Sequence, residues 1–202
     1  MMVDLSTIAK ILNVVAILPC QHAKIEKIER MLDAFERQLA KFERGGSPDY
    51  ELMERAVSLC VECLDPHRGA AERLLLAVQP DQNVVPGIST TTIDEEYKHV
   101  VEEAHQVAMA IEAVFREVEL RREIFGQIGH AFIDVCRQQM RVEEQTYLPA
   151  ITENLRMTDR LSISPAISIT AECALDERCG SSNQTQYQKI VGWDEAEFSG
   201  RP

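Results

Sequence analysis

The sequence predicts an all-α protein, an up-down-up-down antiparallel four-helix bundle with an irregular C-terminal tail. The chain of 202 residues contains only 9 glycines and 8 prolines, too few turn-forming residues for a sheet of many short strands. Apolar residues instead recur every three or four positions through four long stretches, which is the pattern of a helix with one buried face. The connections between consecutive stretches are short, and short connections favour antiparallel neighbours.

The first predicted helix extends from about residue 8 to residue 44 and ends at the glycine pair 45–46. Its apolar stripe consists of Ile25, Ile28, Leu32, Phe35, Leu39 and Phe42. The second predicted helix begins at Ser47 and Pro48, where a capping side chain precedes a proline. The missing N–H of a proline costs nothing in a first helical turn.

The second helix is predicted to continue to about residue 78 with a bend at Pro66, because proline removes one backbone hydrogen bond. Thr92 and Glu95 form a capping-box pattern that opens the third helix, and the fourth extends from about residue 122 to residue 154. The apolar face of the third helix contains Val101, Ala104, Ala108, Ile111, Phe115 and Val118. That of the fourth contains Ile124, Ile128, Phe132, Val135, Cys136 and Leu148.

Two domains follow from this pattern, the bundle at residues 1–155 and the tail at residues 156–202. The tail alternates weakly between apolar and polar residues and then becomes rich in Ser, Asn and Gln. Near its end, Trp193 and Phe198 lie in an acidic segment. The sequence leaves open whether this tail is irregular or loosely docked on the bundle.

The charge of the chain excludes two classes of partner. It carries 33 Asp and Glu against 21 Lys and Arg, a formal net charge of −12. Nucleic acids and anionic membranes attract basic surfaces, so neither is expected to bind. No segment reaches the roughly 20 consecutive apolar residues of a membrane span. The apolar stretch before Cys20 is interrupted by Lys10 and Asn13, which disfavours a secretion signal and favours a cytoplasmic protein.

Six cysteines fit a reducing compartment better than a disulfide framework. Four of them lie in helical patterns, where a buried free thiol is the usual state: Cys20, Cys60, Cys63 and Cys136. Cys173 and Cys179 in the tail form the single candidate disulfide. The C-x-x-C of the second helix has no second pair at zinc-finger spacing, so a core position is favoured over a metal ligand.

The first and third helices repeat one pattern around His22 and His105. Apolar residues lie four positions before each histidine and three, six and ten after it, and a glutamate lies seven after it. These glutamates, Glu29 and Glu112, are candidates either for orienting the imidazoles or for surface ion pairs. The spacing predicts that both imidazoles enter the bundle interior from equivalent positions.

The second and fourth helices also correspond, with His67 in one where Gln139 stands in the other. Glu143 lies four residues after Gln139 and therefore shares its face. Glu72 lies five residues after His67 and is rotated away by about 140°. Ala71 occupies the face of His67 instead.

These segments resemble the hemerythrin-like family with its HHE cation-binding pattern, over about residues 14–155. Residues 65–72 read Asp-Pro-His-Arg-Gly-Ala-Ala-Glu where that family has Asp-x-x-His-His-x-x-Glu-Glu. Residues 139–149 read Gln-Met-Arg-Val-Glu-Glu-Gln-Thr-Tyr-Leu-Pro where it has His-x-x-x-Glu-Glu-x-x-(Leu/Phe)-(Phe/Leu)-Pro. The resemblance implies a non-haem di-iron centre held by histidines and bridging carboxylates of four helices.

The ligand set implied by this resemblance is degenerate. Ala71 stands in place of a bridging carboxylate, and Gln139, a weak neutral oxygen donor, stands in place of a histidine. Three alternatives follow: two iron ions, one transition-metal ion, or none. The candidate metal ligands are His22, His67, His105, Glu143, Gln139 and Glu72. Neutral imidazoles with one carboxylate suit iron, zinc, copper and nickel.

Two functions are therefore predicted, and neither is enzymatic, because the sequence contains no phosphate-binding glycine loop and no nucleophile elbow. In the first, the chain binds iron and senses or handles metal, dioxygen or nitric oxide by ligand exchange at an open coordination position. In the second, the metal is lost and the bundle is an interaction or regulatory module with a protein partner. Trp193 and Phe198 of the acidic tail would then be its anchors.

Overall fold

The computed structural model of the chain describes residues 5–65, 90–116, 120–149, 185 and 187–192. Its four long helices are α1 (Leu5–Glu43), α2 (Tyr50–Leu64), α3 (Thr90–Phe115) and α4 (Arg122–Val142). A single π-helical turn, Glu143–Tyr147, continues α4. The described residues contain no strand.

Each helix packs against the next along the chain, and α4 also packs against α1. At one end of the bundle, the ring of Tyr50 at the start of α2 lies 5.6 Å from that of Phe115 at the end of α3. At the same end, Phe42 of α1 lies 4.7 Å from Phe125 of α4. Starts of helices therefore meet ends of their neighbours, and the predicted antiparallel four-helix bundle is confirmed.

The predicted core stripe and end of α1 are confirmed. Five residues of its stripe are buried and Ile25 packs against them partly buried. After the helix, Gly45 adopts a left-handed conformation with φ 87°. The N–H groups of Gly45 and Gly46 donate to the carbonyls of Phe42 and Lys41, each at 2.9 Å. This is the glycine-terminated helix end that satisfies the last carbonyl groups of a helix.

The start of α2 differs from the prediction, because Asp49 caps this helix and not Ser47. The Asp49 side chain accepts a hydrogen bond from the Leu52 N–H at 2.9 Å. The Asp49 N–H in turn donates to the side-chain oxygen of Gln38 at 2.8 Å. Gln38 is fully buried in α1, so a core amide of α1 fixes the loop and selects the capping residue.

The predicted continuation of α2 through a bend at Pro66 is wrong, because this helix ends at Leu64. Asp65 has φ −57° and ψ 113°, which is the extended conformation that a following proline imposes on its neighbour. Pro66 therefore acts on α2 through the conformation it imposes on Asp65, in addition to the N–H group that it lacks. The segment up to residue 78 lies outside the described residues.

The third helix begins at Thr90, so Thr92 lies within its first turn and does not precede it. Its buried residues are Val100, Ala104, Val107, Ala110 and Ile111. Of the predicted stripe, Ala104 and Ile111 are buried, whereas Val101, Ala108 and Phe115 are exposed, and Val118 lies outside the described residues. The apolar arc of α3 is wider than one buried face, so spacing alone placed its centre too far round the helix.

The fourth helix begins at Arg122 as predicted, and its inner face is rotated from the predicted stripe. Its buried residues include Phe125, Gly129, Phe132, Ile133, Cys136, Gln139 and Met140. Ile124 is exposed, and Ile128 and Val135 are partly buried. Leu148 is buried beyond the π-helical turn. The predicted extension to residue 154 lies outside the described residues after residue 149.

The tail contributes to the core in the part that the structure describes. Residues 187–192 are helical, and Ile190 is 1% exposed within the core cluster. The Lys27 ammonium of α1 lies 5.2 Å above the centre of the Tyr187 ring. This segment is therefore docked. The predicted boundary between residues 155 and 156 lies outside the described residues.

Among the described cysteines, Cys60 and Cys136 are buried free thiols and Cys63 is partly buried. The prediction of buried, unpaired helical cysteines is confirmed for the first two. The side chain of Cys20 and the candidate disulfide of the tail lie outside the described residues. In the part of the chain that the structure describes, no helix combines the length and apolar character needed to cross a membrane.

Candidate functional site

The predicted inward orientation of His22 and His105 is wrong, because both side chains are exposed. Ile28 faces the core, and six helical residues of about 100° each rotate His22 about 120° from it. His105 lies on the outer side of α3 with Val101 and Ala108, which are also exposed. The repeated pattern around the two histidines is real, but His22 lies off the buried stripe of α1, and the apolar arc of α3 is too wide to fix the direction of His105.

Glu143 faces the interior, and its partner there is Lys24. The Lys24 ammonium lies 3.3 Å from the Glu143 carboxylate, and their side chains are 15% and 5% exposed. Lys24 precedes Ile28 by four residues, so it lies on the inner stripe of α1, whereas His22 does not. The signal that could have found it is a lysine in register with an apolar stripe.

The remaining predicted ligands divide between the interior and the undescribed part of the chain. Gln139 is buried on the same face of α4 as Glu143, as their spacing predicts. His67 and Glu72 lie outside the described residues. The other two histidines, His99 and His130, are exposed as expected, and His130 lies 3.1 Å from the Glu43 carboxylate of α1.

A second interior contact lies beside the first. The Tyr147 hydroxyl donates to the Glu96 carboxylate of α3 at 2.6 Å. Burial raises the pKa of Tyr147 above its usual value, and the nearby charges of Glu96 and Glu143 raise it further. We call Lys24, Glu96, Glu143 and Tyr147 the polar cluster. Its members come from three helices, and the π-helical turn supplies two of them.

Glu143 and Tyr147 lie four residues apart in the π-helical turn and are both buried, on the side of the helix that also buries Gln139. A π turn adds a residue to the repeat and locally changes which side chains face inward, and such turns are often found at functional sites. Within the polar cluster, each carboxylate accepts from a cation or a hydroxyl of a neighbouring helix. Chemically, the arrangement pairs one of its two carboxylates with an ammonium and the other with a hydroxyl.

The glutamates considered as partners of the histidines make ion pairs elsewhere. Glu29 accepts from the Arg137 guanidinium of α4 at 3.4 Å. The Arg137 guanidinium also contacts Asp33 and Glu36 at 3.1 and 2.9 Å. Glu112 pairs with Arg116 on the surface of α3. The surface ion-pair alternative is therefore the one observed.

A groove lies on the outside of the bundle, between α2 and α3. Its volume is about 360 Å³. Most of its lining is apolar, with a small number of polar side chains. The lining residues are Glu54, Val57, Ser58, Val61, Glu62, Val101, Ala104, His105, Val107, Ala108 and Ile111. The groove combines a concave shape with apolar chemistry and an exposed histidine.

The described residues contain no group of three or more His, Cys, Asp and Glu side chains that could hold a metal ion. The donors that can be described do not converge, since two imidazoles are exposed and the buried carboxylate is paired with an ammonium. Iron binding stays a prediction, because two of its candidate ligands lie outside the described residues. No family model, curated protein or solved structure matches the chain.

Proposed function

We propose that the chain is a metal-independent helical bundle that acts as an interaction module for a protein partner. The observation that supports this most directly is the buried contact between Lys24 and Glu143. A carboxylate in a bundle core needs a positive partner, because an unpaired buried charge is costly. Here the chain supplies that charge itself. A metal ion at Glu143 would have to compete with the Lys24 ammonium for this carboxylate.

The surface of α3 supports the interaction part of the proposal. Val101, Met109 and Phe115 are 40%, 52% and 65% exposed, and all three belong to this helix. The bundle core is complete without them, because α3 buries a separate stripe. Surplus apolar surface gathered on one helix is typical of a site that a partner covers.

The polar groups of the interior are bonded to one another. The Tyr147 hydroxyl and the Lys24 ammonium each donate to a carboxylate of another helix, which supports a role of the polar cluster in joining helices. The groove between α2 and α3 is shallow and apolar, which suits contact with a side-chain surface of another protein.

Elemental analysis of the full-length protein from iron-rich medium, beside a His105→Ala variant, tests the metal-independent part. We expect only trace metal in both proteins and no near-ultraviolet absorption of an oxo-bridged iron pair. A stoichiometric amount of iron that is lost in the His105→Ala variant would contradict the proposal and restore the hemerythrin-like one.

The Lys24→Met variant tests whether the chain balances the charge of Glu143 itself. We expect it to lower the free energy of unfolding by about 2 kcal/mol, because a mostly buried carboxylate loses its cation. Lys27→Met is the matched control, since Lys27 lies on the same helix and only covers the Tyr187 ring. Adding Glu143→Gln to Lys24→Met should recover part of the loss in urea denaturation. Equal effects of the two lysine variants would contradict the role of this ion pair.

A further inference from the structure

We infer that the groove between α2 and α3 binds an amphipathic helix whose apolar stripe is flanked by lysine and arginine. This inference rests on the proposed function, because it names the chemistry of the partner that the module binds. It depends on three observations about the groove: its apolar floor, the small side chains along α3 and the charge along its edge.

The floor of the groove is formed by the core itself. Val57 of α2 and Ala104, Val107 and Ile111 of α3 are nearly fully buried, so they form a fixed apolar base that needs no rearrangement to accept a ligand. Val61 and Val101 rise at the two sides with partial exposure. A rigid apolar base with raised sides suits the apolar face of a helix laid between two others.

The side chains along α3 are small where a helix would approach. Ala104 and Ala108 both line the groove, one helical turn apart. Small residues at this spacing let a second helix come close, and its larger side chains would then contact Val61 and Val101. The exposed Phe115 lies further along the same side of α3, about one turn beyond Ile111. The apolar track is therefore longer than the groove, as an approaching helix requires.

The edge of the groove selects the charge of the partner. Both carboxylates that line it, Glu54 and Glu62, belong to α2, and Glu54 is the more exposed of the two. His105 is the one lining side chain that can become positive. The whole chain carries a net charge of −12. A second copy of the chain or its own acidic segment around Trp193 would meet like charge, whereas a basic helix would meet opposite charge.

The test uses the full-length protein and two fluorescently labelled peptides of about 18 residues, long enough for five helical turns. Both peptides carry leucine at helical spacing on one face. The first has lysine on the other face and the second has glutamate. We expect the lysine peptide to bind at least about tenfold more tightly than the glutamate peptide in fluorescence anisotropy. The double variant Glu54→Gln, Glu62→Gln should weaken that binding, most clearly at low salt.

Any acidic protein attracts a basic peptide to some extent. A variant inside the groove is therefore compared with one outside it, to show where the lysine peptide binds. Ala108→Arg places a large cation in the groove, and we expect it to weaken binding of the lysine peptide by about tenfold or more. Ala131→Arg is the matched control, an exposed alanine on α4, and it should leave the affinity within about twofold. Circular dichroism checks that both variants fold.

Three results would overturn the inference. They are lysine-peptide binding that Ala108→Arg leaves unchanged, no difference between the two peptides, and a dimer in sedimentation that Ala108→Arg dissociates. The last would assign the groove to a second copy. Metal analysis of the same samples separates the two proposals. Metal-free protein that fails to bind the peptide refutes this inference alone, whereas stoichiometric iron lost with His105→Ala refutes the proposed function.

Discussion

Gly129 of α4 lies where a larger residue would collide with α1. A methyl group on Gly129 would stand 2.7 Å from a terminal carbon of Leu39, which is fully buried and cannot move without disturbing the core. We expect Gly129→Ala to lower the free energy of unfolding by about 1–2 kcal/mol. This is the reverse of the gain of about 1 kcal/mol that alanine gives over glycine in an open helix. Urea denaturation measures the difference.

Gly126→Ala provides the matched control three residues earlier on the same helix. Its added methyl group would meet the Glu43 side chain, at 2.5 Å from Oε1, and this exposed side chain can turn aside if it gives up its contact with His130. We expect no loss of stability, or a gain of up to about 1 kcal/mol from helix propensity. If both glycine variants lost stability equally, close packing of α1 on α4 at Gly129 would not be the cause.

The two buried thiols make stability depend on pH in the alkaline range. Burial raises the pKa of Cys60 and of Cys136, and the charge of Glu29 adds to this for both. The native state then keeps protons that the unfolded chain releases near its ordinary thiol pKa. Their stabilisation is complete below about pH 8.5 and falls above it by about 1.4 kcal/mol per pH unit for each thiol. Tyr147, whose pKa is also raised, adds to the fall above about pH 10.

Cys136→Ala should reduce that alkaline slope, because one of the titrating groups is gone. Ile133→Val is its control, a neighbouring buried residue that loses one carbon and no proton. We expect the control to lower stability equally at every pH between 7 and 10. Chemical denaturation across this range measures both slopes. An unchanged slope in Cys136→Ala would show that another group causes the pH dependence.

The sequence was enough to predict the burial of apolar residues and thiols, but not the direction in which a polar side chain points. Cys60 and Cys136 read as buried thiols because apolar neighbours surround them in sequence, and they are. His22 read as an interior residue because it borders an apolar stripe, yet Lys24 two positions on is the residue that faces Glu143. Lys24 is rotated by only about 40° from the buried Ile28, whereas His22 is rotated by about 120° from it.

At the scale of the element, Arg137 joins α4 to α1 through three carboxylates. Its guanidinium contacts Glu29, Asp33 and Glu36, which lie close together on one side of α1. We expect Arg137→Gln to lower the free energy of unfolding by about 1 kcal/mol, since the group is partly exposed and its ion pairs are screened by solvent. The loss should shrink in 1 M salt, which also screens the repulsion left among the three acids.

Arg55→Gln is the comparison for that variant. Arg55 pairs with Glu51 on the exposed side of α2 and joins no other helix. Its removal should change stability less than removal of Arg137, and with little dependence on salt. If the two arginine variants were equivalent, the Arg137 contacts would be ordinary surface pairs that add nothing to the packing of α1 on α4.

Elements were predictable in proportion to how narrow their apolar stripes are. The stripe of α1 is flanked by charged residues, so its centre was placed correctly. The apolar arc of α3 includes both Val100 and Val101 and both Ala110 and Ile111, and its surplus is what leaves a groove beside α2. The end of α1 could be predicted because the local conformation of Gly45 is enough to end the helix. The capping residue of α2 could not be predicted, because it depends on the tertiary contact between Asp49 and Gln38.

At the scale of the whole molecule, the topology was predictable because four amphipathic stretches, with short connections between α1 and α2 and between α3 and α4, allow few other arrangements. The role of the tail was not. Residues 187–192 show no long apolar repeat, so nothing in their sequence marks Ile190 as a core residue. Ile190 belongs to the core cluster, and Tyr187 of the same segment contacts Lys27 of α1, far earlier in the chain.

The docking of residues 187–192 predicts that they unfold with the bundle and not before it. Ile190→Ala should lower the free energy of unfolding by about 2–3 kcal/mol, because a fully buried isoleucine is replaced by a cavity, while Val191→Ala, at a partly exposed neighbour, should cost less. Both variants should keep a single thermal transition by far-ultraviolet circular dichroism and by Tyr and Trp fluorescence. A bundle whose stability does not respond to Ile190→Ala would mean that the core is complete without this segment, and the tail would then be free to serve as a separate contact for a partner.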